Sequence, residues 1–224
     1  MTKSIFITAT DTEVGKTFIS ALLIKKLTEL KNKCAYVKPF ETGLGESFKS
    51  IDYSYVKRIN PKLAIPEQES VIEKYYYALS PHDSAVLESR KPDIEKVLRQ
   101  INKIKQDYEY TIIEGAGGVY VPVTGDYCII DLIKQINEPC IVIGRLGLGT
   151  INHTILTIKA LQYNKINVKA FILNGKGDTQ AGNRNAGNIE NFTKVPCAGI
   201  VGEINPVKVK LDDLSLDYNL IFDF

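Results

Sequence analysis

Residues 4–17 read SIFITATDTEVGKT, an apolar run followed by a polar turn that closes on Gly15-Lys16-Thr17. Those last three types end the phosphate-binding pattern G-x-x-x-x-G-K-S/T. Backbone N–H groups at a helix start, with the positive end of the helix dipole, take phosphate oxygens. A lysine there reaches the β- and γ-phosphates, and the hydroxyl after it ligates Mg²⁺. The first glycine of the pattern is missing: position 10 is Thr and position 9 is Ala. A magnesium-nucleotide site also needs carboxylates. Glu114 ends another apolar run and precedes Gly115-Ala116-Gly117-Gly118, small residues that let backbone approach a ligand. Asp52 is a further candidate, though by itself one acid among 26. Lys38 precedes Pro39, which restricts it to extended geometry. After a strand it stands at the sheet's carboxyl edge, where an ammonium stabilises a transferring phosphoryl group. Gly147 to His153 opens an amphipathic helix with Thr150 as N-cap, and its N–H groups predict a second anion site. His153 reads as a packing or capping residue.

These residues need a frame, and the pattern supplies one. Strand-like runs fall at 4–8, 34–37, 110–113, 140–143, 168–173 and 197–201. Between them apolar residues recur at helical spacing over 19–30, 94–104 and 151–161, with shorter helical stretches at 51–59 and from near Ser84. Residues 175–188, rich in Gly and Asn, predict a mobile loop leading into a short helix. Alternating strand and helix predicts an α/β fold, a mostly parallel sheet with helices on both faces. In such sheets ligands bind outside the carboxyl ends of the strands, and the polar, glycine-rich stretches follow strands here. A single domain over residues 1–224 is expected.

Composition narrows the classes. Net charge is +2, so no single-sign field argues for nucleic acid or membrane as partner. No apolar run is long enough to span a bilayer, and no signal arrangement opens the chain. The four cysteines have no C-x-x-C spacing and read as reduced thiols of a cytoplasmic protein.

Taken together, TDTEVGKT (10–17), YVKPFETG (36–43), SPH (80–82), EGAGG (114–118), LGTINHT (148–154) and LN (173–174) resemble the dethiobiotin synthetases over residues 4 to about 204. The resemblance implies a P-loop cyclo-ligase that uses ATP and Mg²⁺ to convert 7,8-diaminopelargonic acid and CO₂ to dethiobiotin, through a carbamate and a carbamic-phosphoric anhydride. It implies that Glu13, Val14, Gly15, Lys16, Thr17 and Phe18 wrap the phosphates, and that Thr17, Asp52 and Glu114 ligate the metal. Lys38 would hold the carbamate, with Lys16 and Thr12 close by. Thr42 would touch the substrate, and Glu114, Gly115, Ala116, Gly117 and Gly118 would line phosphate and diamine. Asn174 and Gly175 would read the adenine edge. The resemblance further implies a homodimer in which Gly149, Thr150, Ile151 and Asn152 reach the neighbouring subunit's site.

Two departures stand out. Ala9 replaces a usual glycine, and Asn205-Pro206 shifts the proline of the last turn by one place, which predicts looser base selectivity. The alternative is a partitioning-type ATPase switch, but the extra lysine of that loop is missing from positions 10–14. A guanine-reading N-K-x-D is interrupted by Gly175, and no length remains for the glutamine-hydrolysing domain of a corrin amidoligase.

Overall fold

A computed structural model describes residues 3–205, 207, 208, 210, 211 and 214–222 of the chain; Pro206 lies outside them. Seven parallel strands form one sheet: β1 (Lys3–Ala9), β2 (Cys34–Glu41), β3 (Val71–Lys74), β4 (Tyr110–Gly118), β5 (Cys140–Arg145), β6 (Val168–Asn174) and β7 (Cys197–Val201), in the order β3-β2-β4-β1-β5-β6-β7. Ile5, Phe6 and Ile7 of the central strand are buried on both faces, as parallel sheets require. Each such side chain contributes roughly 1.5–3 kcal/mol by leaving water.

The longer connecting helices are α1 (Lys16–Glu29), α2 (Ile51–Ile59), α5 (Ile94–Asp107), α6 (Ile129–Ile136), α7 (Thr150–Tyr163) and α8 (Thr179–Thr193); α3 (Glu67–Ser70), α4 (Pro81–Leu87) and α9 (Tyr218–Phe222) are short. From β1 the chain moves toward the β3 edge, and from β4 it crosses β1 to β5 and moves toward the β7 edge. Right-handed crossovers then put α1 on one face and α5, α7 and α8 on the other. The reversal opens a crevice beyond the carboxyl end of β1, between β4 and β5.

Several expected boundaries move. The stretch expected as a loop over 175–188 is helical from Thr179. Asp178 caps α8 by accepting from the Gln180 N–H at 2.8 Å. Gly182, Ala186, Ile189 and Thr193 make a buried stripe; a Cβ at Gly182 would press into Leu146 Cδ1, so the glycine serves close packing rather than mobility. Glu114 does not end its strand, because β4 runs on to Gly118. Lys38 lies inside β2, not after it. The β2–β4 pairing stops at Val37, so Pro39, with no N–H to give, costs that ladder nothing. The helix expected near Ser84 starts at Pro81, with Ser80 as cap. Gly149, not Thr150, caps α7; Thr150 turns inward, its Oγ1 3.3 Å from that of Thr154. Strand β3 and helix α6 carry no expectation from the sequence: β3 has four residues, too few for a period. All four cysteines are free thiols.

Candidate active site

The loop between β1 and α1 is shaped by two left-handed residues, Glu13 (φ 58°) and Gly15 (φ 98°). Neither Ala9, which closes β1, nor Thr10 is left-handed, so the missing glycine is not a conformational loss. No side chain caps α1 and no acid stands in its first turn. Its leading N–H groups therefore face the crevice as anion donors. The loop is tied down at three points, from two strands. Thr10 donates its N–H to the Ile143 carbonyl on β5 (3.0 Å), and Arg145 pairs with the Asp11 carboxylate (3.0 Å). The third tie comes from β6: the Asn174 amide donates to the Val14 carbonyl at 2.9 Å. A Cβ on Gly15 would collide with that amide, so glycine is needed twice over here.

Opposite the loop, charges converge. Lys38 Nζ pairs with Asp52 Oδ2 at 2.6 Å and Glu114 Oε1 at 2.8 Å. Thr17 Oγ1 lies 2.9 Å from Asp52 Oδ1 and 2.8 Å from Glu114 Oε1. Tyr36 donates its hydroxyl to Glu114 Oε2 at 3.0 Å. Lys16, largely buried, donates to the Asp11 carbonyl at 3.2 Å. Burial, then repulsion from Lys38, lowers the Lys16 pKa to about 8. For Lys38 burial works against the charge, but Glu114 and Asp52 outweigh it and raise its pKa. Burial likewise opposes the Asp52 charge, and Lys38 overcomes it, lowering that pKa. Burial raises the Tyr36 hydroxyl well above its usual value.

Lys16, Thr17, Lys38, Asp52 and Glu114 line a cavity of about 430 Å³ with Thr12, Glu13, Gly15, Phe18, Thr42, Ala116 and Gly117; Tyr36 is not in its lining and reaches the site through Glu114. Val14, Gly115, Asn174 and Gly175 are not among its lining residues, and neither is the start of α7 at Gly149, Thr150, Ile151 and Asn152. Gly118 instead lines a neighbouring cavity of about 700 Å³ with Thr12, Tyr120, Val121 and Leu156. Among the described residues no three His, Cys, Asp or Glu side chains form a metal-holding group. The donor set is the hydroxyl of Thr17 with two carboxylates. That suits Mg²⁺, which binds one or two carboxylates and completes its shell with phosphates and water.

Tyr36, Glu41, Ile51 and Tyr55 join the site without having been expected from sequence. Tyr36 had a signal: it sits two residues before Lys38 on one strand, so both side chains leave the same face.

A family model described as an AAA domain matches residues 3–209. An ATP-dependent dethiobiotin synthetase of Methanococcus vannielii is 39% identical over 216 residues, covering 95% of this chain and 99% of that one. The chain belongs to the dethiobiotin synthetase family. Another synthetase, from Bacillus velezensis, is 33% identical over 92% of this chain and 88% of its own. As a dethiobiotin synthetase family member the chain is an enzyme, a ligase. Among solved structures it resembles a ParA family ATPase from Chlorobium tepidum, with TM-score 0.60, 13% identity and 98% and 96% of the two chains covered. It also resembles the septum site-determining protein MinD of Pyrococcus horikoshii complexed with Mg-ADP, with TM-score 0.58, 17% identity and 91% and 82% covered. At such identities these show the fold alone. The partitioning-switch reading is not favoured beside the synthetase relatives. Among the described residues of this dethiobiotin synthetase family member, no helix is long and apolar enough to cross a membrane.

The tie between Asn174 and the loop gives an expected result. Asn174→Ala should weaken binding of inorganic tripolyphosphate, which has no base to read, roughly 3- to 10-fold, the usual net worth of one hydrogen bond. Equal affinity in isothermal titration calorimetry would show that the tie does not shape the phosphate site.

Proposed function

We propose that the chain is an ATP- and Mg²⁺-dependent synthetase of biotin biosynthesis. It carboxylates 7,8-diaminopelargonic acid with CO₂ and closes the ureido ring of dethiobiotin, releasing ADP and phosphate. The observation that carries this reading is the meeting of the Lys38 ammonium with two carboxylates and the Thr17 hydroxyl, facing a phosphate loop whose own Lys16 is near enough to feel it. A carbamate and a triphosphate bring much negative charge together, and two fixed ammonium groups offset it where it develops.

In this reading one substrate amine attacks CO₂ and loses a proton to give a carbamate. A carbamate oxygen attacks the γ-phosphorus, the bond to the bridging oxygen breaks and ADP leaves. The second amine then attacks the carbonyl of the mixed anhydride; a C–N bond forms, the C–O bond to phosphate breaks, and the amine proton is lost. Lys38 holds the carbamate and the transferring group. Lys16 and the N–H groups from Glu13 to Phe18 hold the β- and γ-phosphates, and Thr12 stands at their edge. Thr42 orients the diamine, and the strand end from Glu114 to Gly118 lets it approach. Thr17, Asp52 and Glu114 hold Mg²⁺, which supplies neutralisation of phosphate charge. Asn174 and Gly175 lie beside the base. The start of α7, which is not in the lining of the chain's own cavity, serves the site of a second copy in a homodimer; Leu148, fully exposed before it, is consistent with that role.

The test is ADP release with diaminopelargonic acid and bicarbonate omitted in turn. Release should need both. Release that ignores the diamine would overturn this reading in favour of a switch. Run with GTP and CTP, the same assay checks the looser base selectivity expected from Asn205-Pro206, and strict preference for ATP would refute it.

A further inference from the structure

One buried carboxylate near the site has no part in that scheme. Glu41, the last residue of β2, is 4% exposed. Its Oε1 accepts the backbone N–H groups of Ile51 (2.8 Å) and Asp52 (2.9 Å). Its Oε2 accepts the hydroxyl of Ser50, and Ser50 Oγ in turn accepts the N–H of Tyr53 at 2.8 Å. On the far side Glu67 accepts the Ser50 N–H at 3.0 Å and pairs with Lys74, the β3 residue in register with Glu41. The first turn of α2 is therefore held by side chains from β2 and α3, the latter braced by Lys74 of β3, rather than by its own cap alone. A carboxylate there also meets the positive end of the helix dipole. The charged side chain that this turn carries into the crevice, beside Ile51, is Asp52.

We propose that Glu41 is the positioning residue of the metal site: by binding the first turn of α2 it fixes the Asp52 carboxylate beside Thr17 and Glu114, and so sets the affinity for Mg²⁺. The inference rests on the reading of Asp52 as a metal ligand. Residues that orient a ligand typically change metal affinity by about 10–100-fold when lost.

The experiment is a Mg²⁺ titration of diamine-dependent ADP release at saturating ATP. Glu41→Ala should raise the half-saturating Mg²⁺ concentration at least roughly tenfold. Glu41→Gln should stay within about threefold, because its Oε1 still accepts both N–H groups and its amide can donate to Ser50 Oγ. Asp52→Ala should shift the titration too, and Glu41→Ala added to it should shift it no further, as for two residues acting through one carboxylate. If Asp52→Ala leaves the Mg²⁺ dependence unchanged, the metal-ligand reading fails and this inference with it. If Asp52→Ala shifts it and Glu41→Ala does not, the inference alone fails. A Glu41→Ala effect on the diamine KM without a Mg²⁺ shift also overturns it, making Glu41 a substrate contact. Should Glu41→Ala not fold, Ser50→Ala replaces it, with a Mg²⁺ shift of about threefold expected from one lost hydrogen bond and an unshifted titration counting against the proposal.

Discussion

Lys38→Ala should cut turnover at least ~10²-fold while leaving the ATP dissociation constant within about threefold, since the lost interaction acts where charge develops in the transition state. The phosphate loop, its N–H groups and Lys16 remain in that variant, so ground-state binding of nucleotide survives. What disappears is the cation lying 2.6 Å from Asp52 and 2.8 Å from Glu114. Two carboxylates are then left facing each other across the Thr17 hydroxyl, and removing one partner of a buried ion pair costs about 3–5 kcal/mol. A divalent cation can fill that vacancy. Mg²⁺ should accordingly raise the melting temperature of Lys38→Ala by more than it raises that of the parent chain. Pre-steady-state kinetics and differential scanning calorimetry check the two halves separately. Near-normal turnover would remove Lys38 from the chemistry, and an equal response to Mg²⁺ would remove the carboxylate pair from metal binding.

A large effect on stability is also expected at Glu114, whose side chain is fully buried. It accepts from Thr17, Lys38 and Tyr36 at once. Glu114→Ala leaves a buried ammonium with Asp52 as its one remaining carboxylate partner, and a phenol hydroxyl without its acceptor. A loss of roughly 3–5 kcal/mol follows. At about 2–4 °C per kcal/mol for a chain of this size, the melting temperature should fall by roughly 6–20 °C. Glu114→Gln keeps the volume and can still accept from Tyr36, so less than half of that fall is expected. Its turnover should nonetheless drop severely, because an amide is a poor Mg²⁺ ligand beside a carboxylate. Thermal unfolding of both variants decides the matter: a Glu114→Ala transition within about 2 °C of the parent would mean that the cluster contributes little to folding.

The phosphate loop was legible in sequence because its chemistry is local: strand, turn and helix lie within residues 3–29, and Lys16 and Thr17 need only that local geometry. Glu114 was legible because an acid closing an apolar run just before four small residues marks a place where backbone and ligand approach, although the strand itself runs on to Gly118. The boundaries that moved did so through tertiary contact. The 178–193 segment looks like loop in composition, yet Gly182 and Ala186 are what a helix packed against Leu146 and Ile200 requires. Lys38 looked like a strand-end lysine because proline follows it, and only the register of β2 against β3, which sets Lys38, Phe40 and Glu41 beside Val71, Glu73 and Lys74, shows that the strand continues. Glu41 carried no signal at all. Its role depends on backbone N–H groups ten and eleven residues away, and no side-chain periodicity encodes that.

The sheet order has a consequence in time. β1, the first strand made, pairs with β4 from Tyr110 and with β5 from Cys140. At 5–20 residues per second of synthesis, its two edges wait on the order of ten seconds for their partners. During that wait it is an apolar strand with unpaired backbone on both sides, the arrangement most prone to pair with the wrong chain. The phosphate loop cannot be fixed earlier, because Ile143, Arg145 and Asn174, which tie it down, are made later still. A ribosome halted before residue 140 therefore holds every residue of the phosphate loop and none of its ties.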